Sequence, residues 1–191
     1  AEIRFDPRGS FAPVYKAQSS DENFAAGLAD VALTDTGFRD VLGKVSKGEG
    51  FAFGVSITEL TCNNHPNRVD LALVVRQADG TVRTDLYQGA SVGGGMFYID
   101  QMNGQDVYLT GKTAIVFVYG PEIGTQAQGL VMQAAQNNQL LGHDVSTVIT
   151  ADGTVRERLE ISLQRVPENA VLARLRDMPG VSQVLAADAA Q

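Results

Sequence analysis

The chain has 191 residues, of which 44% are hydrophobic and 19% charged, which is typical of a soluble globular protein. Its formal net charge is −7, so nucleic acid and anionic membranes are not expected as partners. We expect no membrane-spanning or signal segment, because no apolar stretch is long enough and the start lacks the signal pattern. The single cysteine, Cys62, cannot form an internal disulfide or a multi-cysteine metal centre, which favours a reducing, cytoplasmic setting.

The first part of the chain predicts two short helices followed by strands. Weak alternation at 1–5 indicates a strand. Asp21 or Asn23 is expected to cap a helix through 24–33, and a second helix is expected within 37–50. The segments that follow are apolar and β-prone, and strands joined by turns are expected at 50–60, 69–77, 82–92 and within 93–109.

The pattern changes near Gly111. The run 113–119, "TAIVFVY", is typical of a buried strand, and a helix, a hairpin, a second helix beginning near Pro167 and a last strand follow. Two sets of apolar residues are predicted to form the buried helix faces: Ala127, Leu130, Val131, Ala134 and Ala135, then Val171, Leu172, Leu175 and Met178. The resulting βαββαβ order is ferredoxin-like, so we predict an α+β protein with a domain boundary near residue 111.

Several motifs carry a family resemblance. The βαββαβ unit ending in "LARLRDMPGVSQV" resembles an ACT domain, a small amino-acid-sensing module. The segment 65–111 resembles the β portion of bacterial iron–sulfur-dependent L-serine dehydratases, with HPN, a hairpin, S-V-G-G-G and a turn leading into ACT. Upstream, "GSFAPVYK" resembles that family's G-S-[LF]-A motif. The resemblance covers nearly the whole chain, and it implies an α/β allosteric substrate-binding domain at 1–111 and an ACT domain at 112–191.

The resemblance also implies that the cluster and the catalytic step belong to a different portion of the enzyme. In that family a separate catalytic α portion binds the [4Fe–4S] cluster, whose open iron acts as a Lewis acid on the substrate hydroxyl. Such a cluster needs about three or four thiolates, and this chain has one cysteine. We therefore expect no cofactor here, a cysteine-containing α-type partner subunit, and no activity from this chain alone. The family's G-H-G-T-D motif is missing, which leaves a related hydroxy or amino acid open as the substrate.

His65 and Asn67 are the first candidate ligand-binding residues. An imidazole and an amide on a proline-fixed turn can bind the carboxylate or hydroxyl of a small amino or hydroxy acid. The alternative is a purely structural turn whose side chains cap backbone groups. The resemblance places this turn at the substrate or effector pocket and makes His65 a candidate catalytic residue. A metal site is not expected, because Cys62 and His65 form a single C-x-x-H without a second pair.

The glycine-rich segment "SVGGGMF" is the second candidate. Its ligand-binding residues would be Ser91, Gly93, Gly94 and Gly95, because glycines let backbone amides approach an anion closely. A β-bulge or tight domain packing is an equal alternative. The segment is not a nucleotide loop, since no GK[ST] or G-x-G-x-x-G pattern is present.

Gly124, in "GPEIGTQAQ", is the third candidate. The turn precedes a helix whose N-terminal amides could hold a carboxylate, at the place where ACT domains bind amino acids. The usual D-R-P-G form has lost its aspartate here, so a structural or dimerising role is an equal alternative. His143 and Asp144 are expected to start a strand after a glycine, and a surface turn is favoured there over a functional role.

Two further function classes remain open. A stand-alone ACT-type regulatory protein would bind a small molecule without catalysis. A self-contained enzyme has less support, because no complete nucleophilic, metal or nucleotide constellation is present. A homodimer through the ACT domain or the substrate-binding domain is also expected.

Overall fold

The structure, a computed structural model, describes most of the chain, in five segments. The described residues are 1–60, 65–77, 79–93, 96–149 and 153–189. They contain two sheets and four α-helices, which confirms the predicted α+β class. The chain divides into two compact units, Ala1–Met102 and Asn103–Gln191, while the domain boundary near residue 111 and the identities of the two domains stay predictions. Within the described residues, no helix is long and apolar enough to cross a membrane.

The first unit is built on a sheet with the strand order β2-β1-β3-β4-β5. Its strands are β1 (Glu2–Phe5), β2 (Gly54–Ile57), β3 (Arg68–Arg76), β4 (Val82–Gly93) and β5 (Met96–Met102). Strand β1 pairs in parallel with β2 and antiparallel with β3, and the remaining neighbours are antiparallel. This order places the start of β3 beside the end of β4, where the candidate residues lie.

The first helix packs on one face of this sheet through Phe24, but its bounds differ from the prediction. Helix α1 spans Ser20–Leu28 and α2 spans Val41–Ser46. The expected caps Asp21 and Asn23 were wrong, because both lie inside α1 and no side-chain cap bond forms. The helix also stops before residue 33. Its end is a Schellman motif with Asp30 in the left-handed conformation, in which the Val31 amide donates to the Ala26 carbonyl.

The core of the first unit follows from the two-residue period of β1. Ile3 and Phe5 are fully buried, whereas Glu2 and Arg4 point to the opposite face and pair there at 2.7 Å. The ring of Phe5 stacks on Phe11, with 5.3 Å between ring centroids. Because Phe11 follows Ser10 directly, this packing anchors the G-S-F segment to the sheet.

The second unit begins with β6 (Gln105–Leu109). The turn that precedes it has positive φ at both Asn103 (53°) and Gly104 (76°), two residue types that adopt this conformation more readily than most. Its other elements are β7 (Ala114–Gly120), α3 (Ile123–Ala134), β8 (Leu140–Ile149), β9 (Val155–Leu163), α4 (Asn169–Arg176) and β10 (Gln183–Ala187). From β7 onward this is the predicted order of strand, helix, two strands, helix and strand. The sheet order is β10-β7-β9-β8, with antiparallel neighbours throughout.

The core of the second unit agrees with the predicted helix faces. Every residue of β7 is buried, and α3 and α4 pack on one side of it. The helix residues in this cluster include Leu130, Val131, Ala134, Val171, Leu172 and Leu175, with Ala127, Ala135 and Met178 packed against them. Pro167 lies before α4, whose N-cap is Glu168, and not in its first turn as predicted.

Candidate functional site

Three segments of the first unit meet in one hydrogen-bonded cluster, which we call the turn cluster: Ser10, His65, Asn67 and Ser91. The Ser10 amide donates to the Pro66 carbonyl at 2.8 Å, and the Ser10 hydroxyl donates to Asn67 Oδ1. Asn67 Nδ2 donates to the Ser91 carbonyl at 3.2 Å, and the Ser91 amide donates back to the Asn67 carbonyl at 3.2 Å. Motifs that are far apart in the sequence are therefore adjacent in space.

Two contacts hold the His65 imidazole, a hydrogen bond to its Nδ1 and an aromatic contact with Tyr98. The Asn67 amide donates to His65 Nδ1 at 3.1 Å, so the neutral ring carries its proton on Nε2. The ring packs edge-to-face on Tyr98, with centroids 6.2 Å apart and an interplanar angle of 89°. His65 is half-buried. A fixed tautomer with an Nε2 donor suits the binding of an anionic or hydroxyl oxygen.

The sequence interpretation used the cluster residue Ser10 and its neighbour Gly9 only as part of a family motif. A Cβ at Gly9 would lie 2.7 Å from the Pro66 carbonyl oxygen, closer than any ordinary contact. Glycine is therefore needed here for the close approach of the two turns. The available signal was the small-residue pair G-S directly before an aromatic anchor, but the sequence does not reveal its partner turn.

Asp6 fixes the chain that leads to Ser10. This buried carboxylate accepts hydrogen bonds from the Arg8 guanidinium at 2.9 Å, the Leu60 amide at 3.0 Å and the Arg8 amide at 2.8 Å. The Arg8 side chain, followed by these two amides, holds the pKa of the Asp6 carboxyl well below its usual range. The turn is thus anchored at neutral pH by a fully ionised carboxylate.

Arg68, the residue after Asn67, is a buried cation that the sequence interpretation missed. Its side chain is 3% exposed, and its Nη1 lies 2.6 Å from Asp100 Oδ2. A second carboxylate, Asp70, lies 3.8 Å from Arg68 Nε and accepts a hydrogen bond from Gln88 Nε2 at 2.8 Å. Burial raises the pKa of Asp70, against the opposing effects of Gln88 and Arg68. The signal was a charged residue opening the apolar run "VDLALVV".

The glycine-rich segment is only partly described. Gly94 and Gly95 lie outside the described residues. Gly93 has φ 85° and its amide lies 3.4 Å from Ser91 Oγ, which itself lies 3.3 Å from the Met96 carbonyl. The pairing of β4 with β5 shifts register between Ser91 and Gly93, so a β-bulge is present here. Ligand binding by these amides stays a prediction.

Gly124 belongs to the second unit, in the first turn of α3. Its amide donates to Glu157 Oε2, a β9 side chain, at 2.6 Å. The carboxylate at this helix terminus is therefore supplied by the chain itself, and a ligand carboxylate would have to displace it. His143 lies exposed on β8 opposite Ile161, in the strand that was expected to begin at this residue.

The described residues do not fit a metal centre, and the cysteine content of the chain does not fit an iron–sulfur cluster. Among the residues that the structure describes, no group of three or more His, Cys, Asp and Glu side chains could hold a metal ion. Cys62 lies outside the described residues, and a single cysteine in the sequence is fewer than the three or four thiolates a [4Fe–4S] cluster needs.

These features define an α+β protein whose first unit carries a polar turn cluster. No family model matches the chain. The chain is 25% identical over 177 residues to a "Probable L-serine dehydratase, beta chain" of Bacillus subtilis (strain 168), covering 92% of this chain and 76% of that relative. It is 24% identical over 121 residues to the "L-serine dehydratase, beta chain" of Peptoniphilus asaccharolyticus, covering 63% of this chain and about half (52%) of that relative. Both names support the family that the motifs resemble, at low identity.

Proposed function

We propose that this chain is the β-type subunit of an iron–sulfur-dependent hydro-lyase resembling L-serine dehydratase. The observation that carries the proposal is the convergence of Ser10, Asn67 and Ser91 in one hydrogen-bonded cluster beside His65. Ser10, Asn67 and Ser91 belong to three different motifs of the resemblance, and His65 shares its motif with Asn67. The names of two relatives, both beta chains of L-serine dehydratase, lend independent support.

The turn cluster would contact the substrate or an effector. In this proposal the His65 Nε2–H donates to a carboxylate or hydroxyl of L-serine or a related acid, and Asn67 holds the imidazole through its backbone amide. The amides of the glycine-rich segment next to Ser91 would add donors for the same anion. The chain's own residues thus bind and orient the small molecule.

The reaction itself would belong to a partner. The [4Fe–4S] cluster would be held by a cysteine-containing α-type subunit, because the single cysteine of this chain cannot hold it. In this proposal the first unit is an allosteric substrate-binding domain and the second an ACT domain. A homodimer through either domain, in a reducing cytoplasmic setting, completes the proposed assembly.

Co-expression tests the proposal. We would express the chain with a catalytic chain encoded beside its gene, purify anaerobically, and measure iron, size and conversion of L-serine to pyruvate and ammonia. The expected result is an iron-containing complex with lyase activity. A monodisperse species without iron or a larger partner would contradict the proposal. If that pure species were instead stabilised by an amino acid in a thermal-shift screen, a stand-alone regulatory protein would be favoured.

A further inference from the structure

We propose that the buried Arg68–Asp100 ion pair is a positioning element, which holds the His65–Asn67 turn against β5 and thereby fixes the His65 imidazole. Two contacts join the turn region to β5, and they fall close together on that strand. Tyr98 receives the His65 ring, and Asp100 receives the Arg68 guanidinium at 2.6 Å. A shift of β5 relative to the turn would therefore loosen both contacts at once.

The strand register explains how Arg68 reaches a residue two strands away. Arg68 lies opposite Ala90 on β4, and Ala90 lies opposite Tyr98 on β5. Two strand spacings are about 10 Å, so the arginine side chain must pass over β4. Ala90 is 0% exposed, and its small side chain leaves the space above it to the guanidinium.

Asp100 lies on the same face of β5 as Tyr98, two residues away, and a β-bulge occurs at this position. Gly89 pairs with Ile99 and Gln88 pairs with Gln101, so Asp100 is the extra residue on β5. Bulges are frequent next to functional sites. Gly89 permits the close approach of the two strands, because a Cβ there would collide with the Tyr98 carbonyl oxygen.

The energetics favour a positioning role over a stabilising one. Desolvating two charges offsets most of their attraction, and replacing a buried ion pair by apolar residues of similar volume is often neutral or stabilising. The third charge in this cluster adds to that cost, since burial raises the pKa of Asp70 beside Arg68. What the pair does contribute is a defined direction and length for the link between turn and strand.

The test is histidine nitrogen NMR of the whole chain at about pH 8, where an ordinary imidazole is neutral. The chain has two histidines, so His143→Gln identifies the His65 signals. In wild type we expect a pyridine-type Nδ1 and a protonated Nε2 on His65, because Nδ1 accepts the Asn67 amide. In the double variant Arg68→Met/Asp100→Leu we expect a melting temperature near that of wild type but averaged tautomer signals for His65.

A second ion pair provides the control. Arg83 Nε and Asp85 Oδ2 lie 2.8 Å apart on β4, and Asp85 is five residues before Ala90. Arg83→Met/Asp85→Leu removes the same charges, and the His65 signals should remain those of wild type. A folded Arg68→Met/Asp100→Leu variant with wild-type His65 signals would overturn the inference.

Conservative single variants keep the test valid if the double variant does not fold. Arg68→Lys keeps the charge but loses the reach and planar geometry of the guanidinium, so averaged His65 signals are expected again. Wild-type signals in a folded Arg68→Lys and a folded Asp100→Asn variant would overturn the inference. The inference rests on the proposed function for the role of the turn, but its readout needs no ligand. Failure to bind L-serine would count against the proposed function alone.

Discussion

The turn cluster of the first unit and the start of α3 in the second unit were both predicted as ligand-binding sites, and they are built differently. At the turn cluster, three distant segments meet around a half-buried imidazole. At the start of α3, the Gly124 amide already holds a carboxylate, that of Glu157. A loop rich in glycine or proline is therefore insufficient to identify a binding site. The groups that other segments bring to the loop determine what it can bind.

The largest expected effect would come from removing the cation beneath the turn cluster. Arg68→Ala leaves the half-buried carboxylates of Asp100 and Asp70 without this buried cation, and we expect a loss of about 3 kcal/mol in the free energy of unfolding. Urea denaturation measures this loss. In the matched variant Arg83→Ala, whose side chain is 52% exposed, the loss should be about 1 kcal/mol or less. Equal losses in the two variants would show that Arg68 contributes no more to stability than the exposed Arg83.

The next effect concerns the close approach of the two turns. Gly9→Ala places a methyl group 2.7 Å from the Pro66 carbonyl oxygen, so we expect a loss of about 1–3 kcal/mol and a displaced Ser10. Gly27→Ala is the matched control, because a Cβ there meets nothing within 4 Å and the residue lies in α1. The control should gain about 0.5–1 kcal/mol, as alanine favours a helix. If thermal denaturation showed a change in stability of the same sign for both variants, the close approach of the two turns would not restrict residue 9 to glycine.

A smaller effect is expected at the start of α3. Glu157→Gln removes the negative charge that the helix terminus favours, at a cost of about 0.3–1 kcal/mol. Raising the salt concentration should shrink the difference between wild type and variant, because the interaction is screened. Glu59→Gln, at an exposed position outside the helices and strands, should be neutral. A loss at Glu157 that did not depend on salt would point to packing and not to charge.

The smallest effect concerns pH and the second unit. Burial raises the pKa of Glu160 on β9, so the folded state binds this proton more tightly than the unfolded state. This residue therefore adds stability as the pH falls through its raised pKa toward the ordinary value, and the gain is complete below that value. Glu160→Gln should remove this part of the pH dependence in unfolding titrations. A variant whose stability followed the wild-type pH profile would contradict the assignment.

Local sequence patterns predicted the helices and strands. The contacts that assemble the candidate site join distant segments, and local patterns could not predict them. The continuous apolar run 113–119 and the apolar faces of α3 and α4 predicted the second unit, because each of these patterns lies within a single element. Asp100 on β5 contacts Arg68 on β3 across the intervening strand β4, and no local signal specifies the register that brings them together. The Ser10–Asn67 bond and the Gly124–Glu157 bond also join distant segments. The caps proposed at Asp21 and Asn23 failed because the left-handed Ser19 begins α1 earlier.

The central claim is that the turn cluster of a β-type subunit contacts the substrate of a partnered lyase. Its most direct test is kcat/KM for L-serine in the anaerobically reconstituted complex with wild type, His65→Ala and His143→Ala. We predict a loss of about 100-fold or more for His65→Ala, the scale of a lost acid–base or orienting group, and wild-type activity for the exposed His143→Ala. Equal activity of the three complexes would contradict the claim.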